Sequence, residues 1–242
     1  MQKQLTTIML LSSILTLTPV FSAPHSINAL QSTPVIDGSI NAHEWPEQHA
    51  IKLSRVFHDQ RDIKLYYAHD AQYLYLAADV EDQQLWADGF GAGAGNIWEN
   101  SNDDSIEWYF DLDQSKDTYL QSNDRFLALN IGNFTDPVNG SGIVSRRSFN
   151  SGNGLGGAAG ALDPHTLDGI LYKVQYRGTV NNAADTDQGY SIEAAIPWSL
   201  LPGATHADGD SIGINTIIIS DDSGNGRDFS DNRDIEPAEL RF

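Results

Sequence analysis

Apolar and polar residues alternate with a period of two along much of the chain, whereas the spacing of an amphipathic helix does not recur. Residues 105–111 show this alternation most clearly. In an extended chain Ile106, Trp108 and Phe110 face one side, and Glu107 faces the other. The segment therefore predicts a strand with one face in a hydrophobic core and the other face outside it.

The same alternation predicts further strands. Residues 63–68 and 73–80 predict a hairpin, because the turn residues 70–72 separate them. Other predicted strands cover residues 125–131, 142–149, 170–180, 190–196, 211–220 and 238–242. Residues 197–201 predict one short helical turn. About ten strands with little helix indicate an all-β protein, and we expect an antiparallel β-sandwich that is jelly-roll-like.

The N-terminal segment has the pattern of a secretory signal peptide. Lys3 is followed by a stretch of apolar and small residues over positions 5–21. A membrane span needs about 20 apolar residues, and this stretch is shorter. We expect cleavage after Ser22, which leaves residues 23–242 as a single domain without a membrane span. The expected location is secreted or periplasmic.

Composition and charge exclude several classes of function. The 242 residues include 14 Lys and Arg against 33 Asp and Glu, a formal net charge of -19, and no Cys. A strongly acidic chain repels phosphate backbones, so we expect no nucleic-acid partner. Without Cys there is no thiol nucleophile, no Cys-ligated zinc and no iron–sulfur cluster. The apolar content of 40% is high enough for a packed core.

Acidic residues are so common that single pairs carry little information. Adjacent carboxylates such as Asp103 and Asp104 could act as general acid and base, which would make the chain a glycoside hydrolase. Such pairs also occur in solvated turns or as ligands of Ca²⁺, which prefers six to eight oxygen atoms. The densest group around one predicted hairpin is Asp111, Asp113, Asp117 and Asp124. We take these four residues as the candidate structural Ca²⁺ site.

One tryptophan lies in a polar context. Trp98 is surrounded by Gly, Asn, Glu and Ser residues, whereas Trp108 alternates with Ile106 and Phe110. A tryptophan in a polar loop either contacts a ligand or covers the edge of the core. Sugars present apolar C–H faces and hydroxyl groups, and they bind where an exposed aromatic ring lies beside polar side chains. Trp98 is therefore a candidate sugar-binding residue, and Trp108 and Trp198 are candidate core residues.

Four short motifs occur in order along the chain. They are Ile-Asp-Gly followed by Glu-Trp within residues 34–45, Leu-Tyr with a closing acidic turn within 67–82, Asp-Ser-Ile-Glu at the start of 104–111, and Ser-Ile-Glu-Ala-Ala-Ile-Pro-Trp within 189–198. Together they resemble the family-9 carbohydrate-binding modules of the DOMON-like superfamily. The resemblance covers residues 33–242 and implies the sandwich fold of that family, with Asp37 and Gly38 in a turn.

The resemblance also implies ligand-binding residues. Trp98 resembles the first tryptophan of a pair between which the sugar lies, and Glu107 resembles an acidic contact on the ligand face. Asn130 resembles a polar contact, and Arg227 stands for an arginine contact. The family's other arginine corresponds to Ala128, and no residue corresponds to the second tryptophan.

The leading hypothesis is a secreted, non-catalytic carbohydrate-binding protein that supports carbohydrate catabolism, with a separate glycoside hydrolase as a candidate partner. A b-type haem electron carrier is an alternative, since some DOMON-like proteins bind haem. The mature chain has no Met to act as an axial ligand, so we expect no haem. A glycoside hydrolase in its own right is the second alternative.

Overall fold

The computed structural model describes residues 26–56, 61–87, 103–116, 123–131, 147–150, 170–224, 229–231 and 238–242. These ranges contain thirteen strands. In chain order they are β1 Ser26–Asn28, β2 Leu30–Gln31, β3 Ile51–Val56, β4 Arg61–His69, β5 Tyr73–Val80, β6 Ser105–Asp111, β7 Arg125–Asn130, β8 Arg147–Asn150, β9 Leu171–Tyr176, β10 Tyr190–Pro197, β11 Ser211–Ser220, β12 Phe229–Asp231 and β13 Ala238–Arg241. Two 3₁₀ turns, Glu47–His49 and Trp198–Leu200, complete the described elements.

The strands form two sheets. The first sheet has seven strands in the order β1-β13-β11-β6-β7-β8, with β12 also paired to β11. The second sheet has six strands in the order β2-β4-β5-β10-β9, with β3 also paired to β4. The central pairs are antiparallel, whereas the short strands β1 and β2 pair in parallel with β13 and β4. The all-β sandwich is thus confirmed, and parallel pairing at two edges is the departure from the expected antiparallel pattern.

The core lies between the two sheets. Trp108 and Phe110 of β6 are fully buried there, and Leu65 of β4 and Ile192 of β10 face them from the second sheet. Each such side chain contributes about 1.5–3 kcal/mol by leaving water. The hydroxyls of Tyr67 in β4 and Thr216 in β11 share a hydrogen bond of 2.9 Å across the core. The alternation along β6 is confirmed, since Ile106, Trp108 and Phe110 all face inward.

Most of the predicted strands are confirmed, and the differences have local causes. The strand predicted over residues 170–180 ends at Tyr176, because Thr179 donates its backbone N–H to the carboxylate of Asp187 instead of a sheet partner, at 2.8 Å. Strands β1, β2 and β12 were not predicted, since two or three residues carry too little periodicity. Strand β3 was also missed, and its pairing with β4 is irregular between Leu53 and Val56. Residues 142–146 of another predicted strand lie outside the described ranges.

The predicted helical turn is confirmed as Trp198–Leu200, but the burial expected for Trp198 was overestimated. Trp198 is only partly buried at the edge of the core. Its ring stacks on that of His206 with centroids 4.3 Å apart, and its Nε1 donates to the backbone oxygen of Asp70 at 2.8 Å. In the described part of the chain, no helix is long and apolar enough to span a membrane.

Residues 32–50 cover the outer face of the second sheet. Trp45, which is 2% exposed, packs with Tyr66 and Tyr75 in a small second core on that face. Ile36 and Ile40 of the covering segment pack against the same group. This face of the sandwich is therefore filled by the protein's own chain.

Candidate functional site

The outer face of the first sheet presents polar and aromatic side chains. Along β6, Glu107, Tyr109 and Asp111 face outward, and all three are partly exposed. Strand alternation places them there, because the intervening residues enter the core. Adjacent outward positions on one strand are about 7 Å apart. The three side chains therefore form a line along the middle of the sheet.

Glu107 lies at the centre of this face. The strand register places Ile217 of β11 on one side of it and Ala128 of β7 on the other. The hydroxyl of Tyr109 donates a hydrogen bond to Oε2 of Glu107. This bond orients the carboxylate. Glu107 lies on the outward face of β6, as the alternation predicts.

The other expected ligand contacts are only partly described. Asn130 of β7 lies opposite Ser105 of β6 in the register. Ser105 is two residues before Glu107 and thus on the same side of the strand, so the backbone position of Asn130 belongs to the outer face as well. Trp98 and Arg227 lie outside the described residues. The structure thus brings Glu107 and the backbone of Asn130 together, and the contributions of Trp98 and Arg227 remain predictions.

A pair of aromatic rings beside Glu107 was not recognised from the sequence. Tyr109 of β6 and Phe126 of β7 are opposite each other in the register, with ring centroids 5.5 Å apart and planes inclined by 19°. Both side chains are partly exposed. Alternation along β6 could have placed Tyr109 on this face. The contact with Phe126 required knowledge of the strand register.

Three of the four candidate Ca²⁺ ligands meet at the end of the same face. Asp111, Asp113 and Asp124 each place a carboxylate oxygen within 4.8 Å of the others, whereas Asp117 lies outside the described residues. Hard carboxylate oxygens at this spacing fit the donor set that Ca²⁺ prefers. Burial raises the pKa of Asp111, and the neighbouring Asp124 carboxylate acts in the same direction. A cation at this position would offset the electrostatic repulsion between the Asp111 and Asp124 carboxylates.

Backbone donors shape the acidic cluster. Ser115 N donates to both Asp111 Oδ1 and Asp113 Oδ1 at 3.0 Å, and Lys116 N donates to Asp111 Oδ2 at 2.9 Å. These bonds fold residues 111–116 into a tight turn. The bond from Ser115 lowers the pKa of Asp113. The turn thus holds the carboxylates close together despite their charge.

Two of the four motifs that carry the family resemblance, those within residues 34–45 and 189–198, meet at a different place, on the covered face of the second sheet. Glu193 of β10 is fully buried and accepts three hydrogen bonds, from Trp45 Nε1 at 2.5 Å, Gly38 N at 2.6 Å and Asp37 N at 2.9 Å. Burial raises the pKa of Glu193, and the three donors oppose this rise. The motifs around these four residues are therefore structural.

The expected turn at Asp37 and Gly38 is confirmed by this network. Gly38 has a φ of 90°, and an added Cβ would lie 3.1 Å from the backbone of Val174. Both the left-handed conformation and the close approach favour glycine. The turn can therefore present two successive N–H groups to Glu193.

Comparisons with known proteins identify the family of the chain. A model of the family described as carbohydrate family 9 binding domain-like matches residues 36–237. The chain belongs to this family. It is also 26% identical over 214 residues to exoglucanase XynX of Acetivibrio thermocellus. That match covers 86% of this chain but only 15% of the length of the relative.

Solved structures of family-9 modules share the fold. A family-9 carbohydrate-binding module from Caldicellulosiruptor kristjanssonii, solved in complex with cellotriose, superposes with a TM-score of 0.57 at 19% identity, over 89% of this chain and 92% of that one. Its complex with glucose gives a TM-score of 0.56 at 19% identity, over 89% and 94%. A putative carbohydrate-binding protein from Bacteroides uniformis gives 0.51 at 12% identity, over 91% and 100%.

Proposed function

We propose that this chain is a secreted, non-catalytic carbohydrate-binding module that binds a glycan on the outer face of its first sheet. The observation that carries the proposal is the position of Glu107, partly exposed at the centre of that face in a chain of this family. A carboxylate there can accept hydrogen bonds from sugar hydroxyls. The cellotriose and glucose complexes of the Caldicellulosiruptor kristjanssonii module support a β-glucan as the first class to test.

The proposed site joins Glu107 with Asn130, Trp98 and Arg227. Glu107 would accept hydroxyl donors, and the Trp98 ring would contact a C–H face of the sugar. Each hydrogen bond contributes roughly 0.5–1.5 kcal/mol net. With a single tryptophan we expect dissociation constants on the order of 0.1–1 mM.

A glycan array with the mature protein, repeated with Glu107→Gln, tests this function. We expect binding of one glycan class by the wild-type chain and loss of that signal in the variant. Glu47→Gln is a matched control, because Glu47 is an exposed carboxylate on the other side of the sandwich. Equal glycan signals from Glu107→Gln and the wild type would show that Glu107 lies outside the site.

The surroundings of the acidic pairs support a non-catalytic role. Asp104 is fully buried, and both of its carboxylate oxygens accept backbone N–H groups, from Trp86 at 2.8 Å and Asp221 at 2.9 Å. Asp82 is also buried and pairs with Arg61. General acid–base catalysis needs carboxylates that reach the substrate. These carboxylates hold loops together instead, so a separate glycoside hydrolase is the proposed source of any cleavage.

We further propose that Asp111, Asp113 and Asp124, with Asp117, hold a structural Ca²⁺. A ligand that binds only the folded state raises stability by about 2.7 kcal/mol at a hundredfold excess over its Kd. Thermal melts should therefore shift upward in millimolar Ca²⁺ and downward in EDTA. Asp113→Asn should reduce the shift. If NaCl of equal ionic strength shifts the melting temperature as much as Ca²⁺ does, a specific Ca²⁺ site is refuted.

The haem alternative has a direct test. The purified mature protein should be colourless after haem is added and removed by gel filtration, because it has no Met for axial ligation. A retained Soret band would favour the electron-carrier alternative over carbohydrate binding.

A further inference from the structure

Residues 85–87 form a short irregular segment that is held at every backbone polar group. They belong to no strand or helix, although Leu85 is 1% exposed and Ala87 is 0% exposed. A buried irregular backbone needs hydrogen-bond partners for its N–H and C=O groups. All three N–H groups and all three C=O groups of the segment have one. Three residues outside the segment supply these partners: Asp104, Asn181 and Asp187.

Asn181 takes the place of a strand partner for this segment. Its backbone N–H donates to the oxygen of Leu85 at 2.7 Å. Its side chain pairs with Ala87 in both directions, since Oδ1 accepts the Ala87 N–H at 2.7 Å and Nδ2 donates to the Ala87 oxygen at 3.3 Å. The N–H of Leu85 donates to the carboxylate of Asp187 at 2.9 Å. Two residues from the connection between β9 and β10 therefore hold both ends of the segment.

Asp104 holds the middle of the segment. Its Oδ2 accepts the N–H of Trp86 at 2.8 Å, and its own N–H donates to the oxygen of Trp86 at 3.0 Å. These two bonds join the ends of the stretch between Trp86 and Asp104, which contains Trp98 in sequence. Asp104 directly precedes β6, the strand that carries Glu107. The base of the stretch that carries Trp98 is therefore fixed to the strand that carries Glu107.

We propose that Asn181 and Asp104 are positioning residues of the proposed glycan site, which fix the base of the stretch that carries Trp98 relative to Glu107. The inference rests on the proposed function. A binding group keeps its position only when the contacts around it hold its backbone. The apparent affinity falls in proportion to the fraction of time for which the binding geometry is present. Loss of the bonds to residues 85–87 should therefore weaken glycan binding, although neither residue needs to contact the sugar.

Titration of the mature protein with cellotriose, followed by NMR, tests the role of Asn181. Asn181→Gly removes the side chain bonded to Ala87 and leaves a residue that readily adopts the φ of 62° at this position. We expect its affinity to fall about tenfold, as for a binding geometry that is present about one tenth of the time. Thermal melts verify that the variant is folded at the titration temperature.

A second variant serves if Asn181→Gly does not fold. Asn181→Asp keeps an acceptor for the N–H of Ala87 and loses the donor to the oxygen of Ala87. A smaller loss of affinity, about threefold, is then expected, because one of the two side-chain bonds remains.

Asn182→Gly is the matched control. Asn182 is also partly buried and lies in the same connection, but its Oδ1 accepts a local bond from the N–H of Ala184, at 3.1 Å. Both variants introduce one flexible glycine, with the same entropic cost. Asn182→Gly should bind cellotriose as the wild type does.

A double-mutant cycle shows whether Asn181 acts through Trp98. In Trp98→Phe the smaller ring contributes less to binding. The fold loss of affinity caused by Asn181→Gly should therefore be smaller in Trp98→Phe than in the wild type, because residues that act through one another are not additive.

The possible results separate the two proposals. If the wild-type chain binds cellotriose and Asn181→Gly binds it within about twofold of the wild type, the positioning role is wrong and the proposed function stands. The same holds if Asn181→Gly and Asn182→Gly lose equal affinity, or if Trp98→Phe leaves the fold loss undiminished. If the wild-type chain does not bind cellotriose, the proposed function fails for glucans, and the positioning role fails with it.

Discussion

The tripeptide Ser-Ile-Glu occurs on an internal strand of each sheet, and the glutamates of its two copies differ in exposure. Residues 105–107 belong to β6, and residues 191–193 belong to β10. In both copies the isoleucine enters the shared core and is 0% exposed. Glu193 is buried under the covering segment and bonded to three N–H groups, whereas Glu107 is partly exposed.

The difference between the two glutamates comes from what lies over each sheet. Residues 32–50 cover the second sheet and bring Trp45 and the turn at Gly38 to Glu193. On the first sheet, Tyr109 beside Glu107 is partly exposed. A glutamate at an outward strand position can therefore be a structural anchor or a ligand contact. Only the covering segment distinguishes the two.

The largest expected effect comes from the covered face. Trp45→Ala should destabilise the fold by about 3–5 kcal/mol, because it removes a buried aromatic ring and the donor to Glu193. Urea unfolding followed by fluorescence and circular dichroism measures the change. Tyr109→Ala, at a partly exposed position of the first sheet, should cost much less. Equal losses in the two variants would contradict the contrast between the faces.

Removal of the buried carboxylate should have the next largest effect. Glu193→Ala leaves three buried N–H groups without their acceptor, and each unsatisfied group costs about 1–3 kcal/mol. Partial relaxation of the turn reduces the sum, so we expect a loss of about 3 kcal/mol in the free energy of unfolding. Glu107→Ala is the control, since it should change stability by less than about 0.5 kcal/mol. A loss at Glu193 no larger than at Glu107 would refute the anchoring role.

The two glutamates should also differ in pH dependence. The folded state raises the pKa of Glu193. At a pH between the ordinary pKa and this raised pKa, the folded chain therefore holds a proton that the unfolded chain has already released. The stability from this protonation is present below the ordinary pKa of glutamate and is lost as pH rises through the folded pKa. The stability of the wild type relative to Glu193→Gln should therefore fall as pH rises through this window. A rise over the same interval would show that the three donors outweigh burial.

The smallest effect on stability, and the most specific effect on function, is expected for Glu107→Gln. Its melting temperature should match that of the wild type, while its affinity for the array-identified glycan falls by about tenfold. Equilibrium titration beside a thermal melt measures both. A variant that melts early but binds normally would make Glu107 a structural residue like Glu193.

A comparison of two tryptophans sharpens the distinction between the core and the proposed ligand face. Trp108 is 0% exposed between the sheets, so Trp108→Ala should destabilise the fold by about 3–5 kcal/mol. Trp98→Ala should instead abolish measurable glycan binding with little change in melting temperature. If Trp98→Ala melts the protein and spares binding, Trp98 covers the edge of the core.

The amino-acid sequence alone determined most of the longer strands and, along β6, which side of the strand is buried. Period-two alternation fixes which residues can share a face, so the inward Ile106, Trp108 and Phe110 and the outward Glu107 followed directly. Strand β11 was predicted with its exact bounds for the same reason. The acidic density around Asp111, Asp113 and Asp124 also indicated their proximity, because all three flank one hairpin.

The tertiary structure decided everything that depends on contacts distant in sequence. The pairing of Tyr109 with Phe126 depends on the register between β6 and β7. The anchoring of Glu193 depends on a segment far earlier in the chain, since Gly38, which donates to it, is 155 positions away. Identical Ser-Ile-Glu tripeptides carry no information on what covers them. Alternation is a property of one strand, whereas the burial of its outer face depends on which other segment packs there.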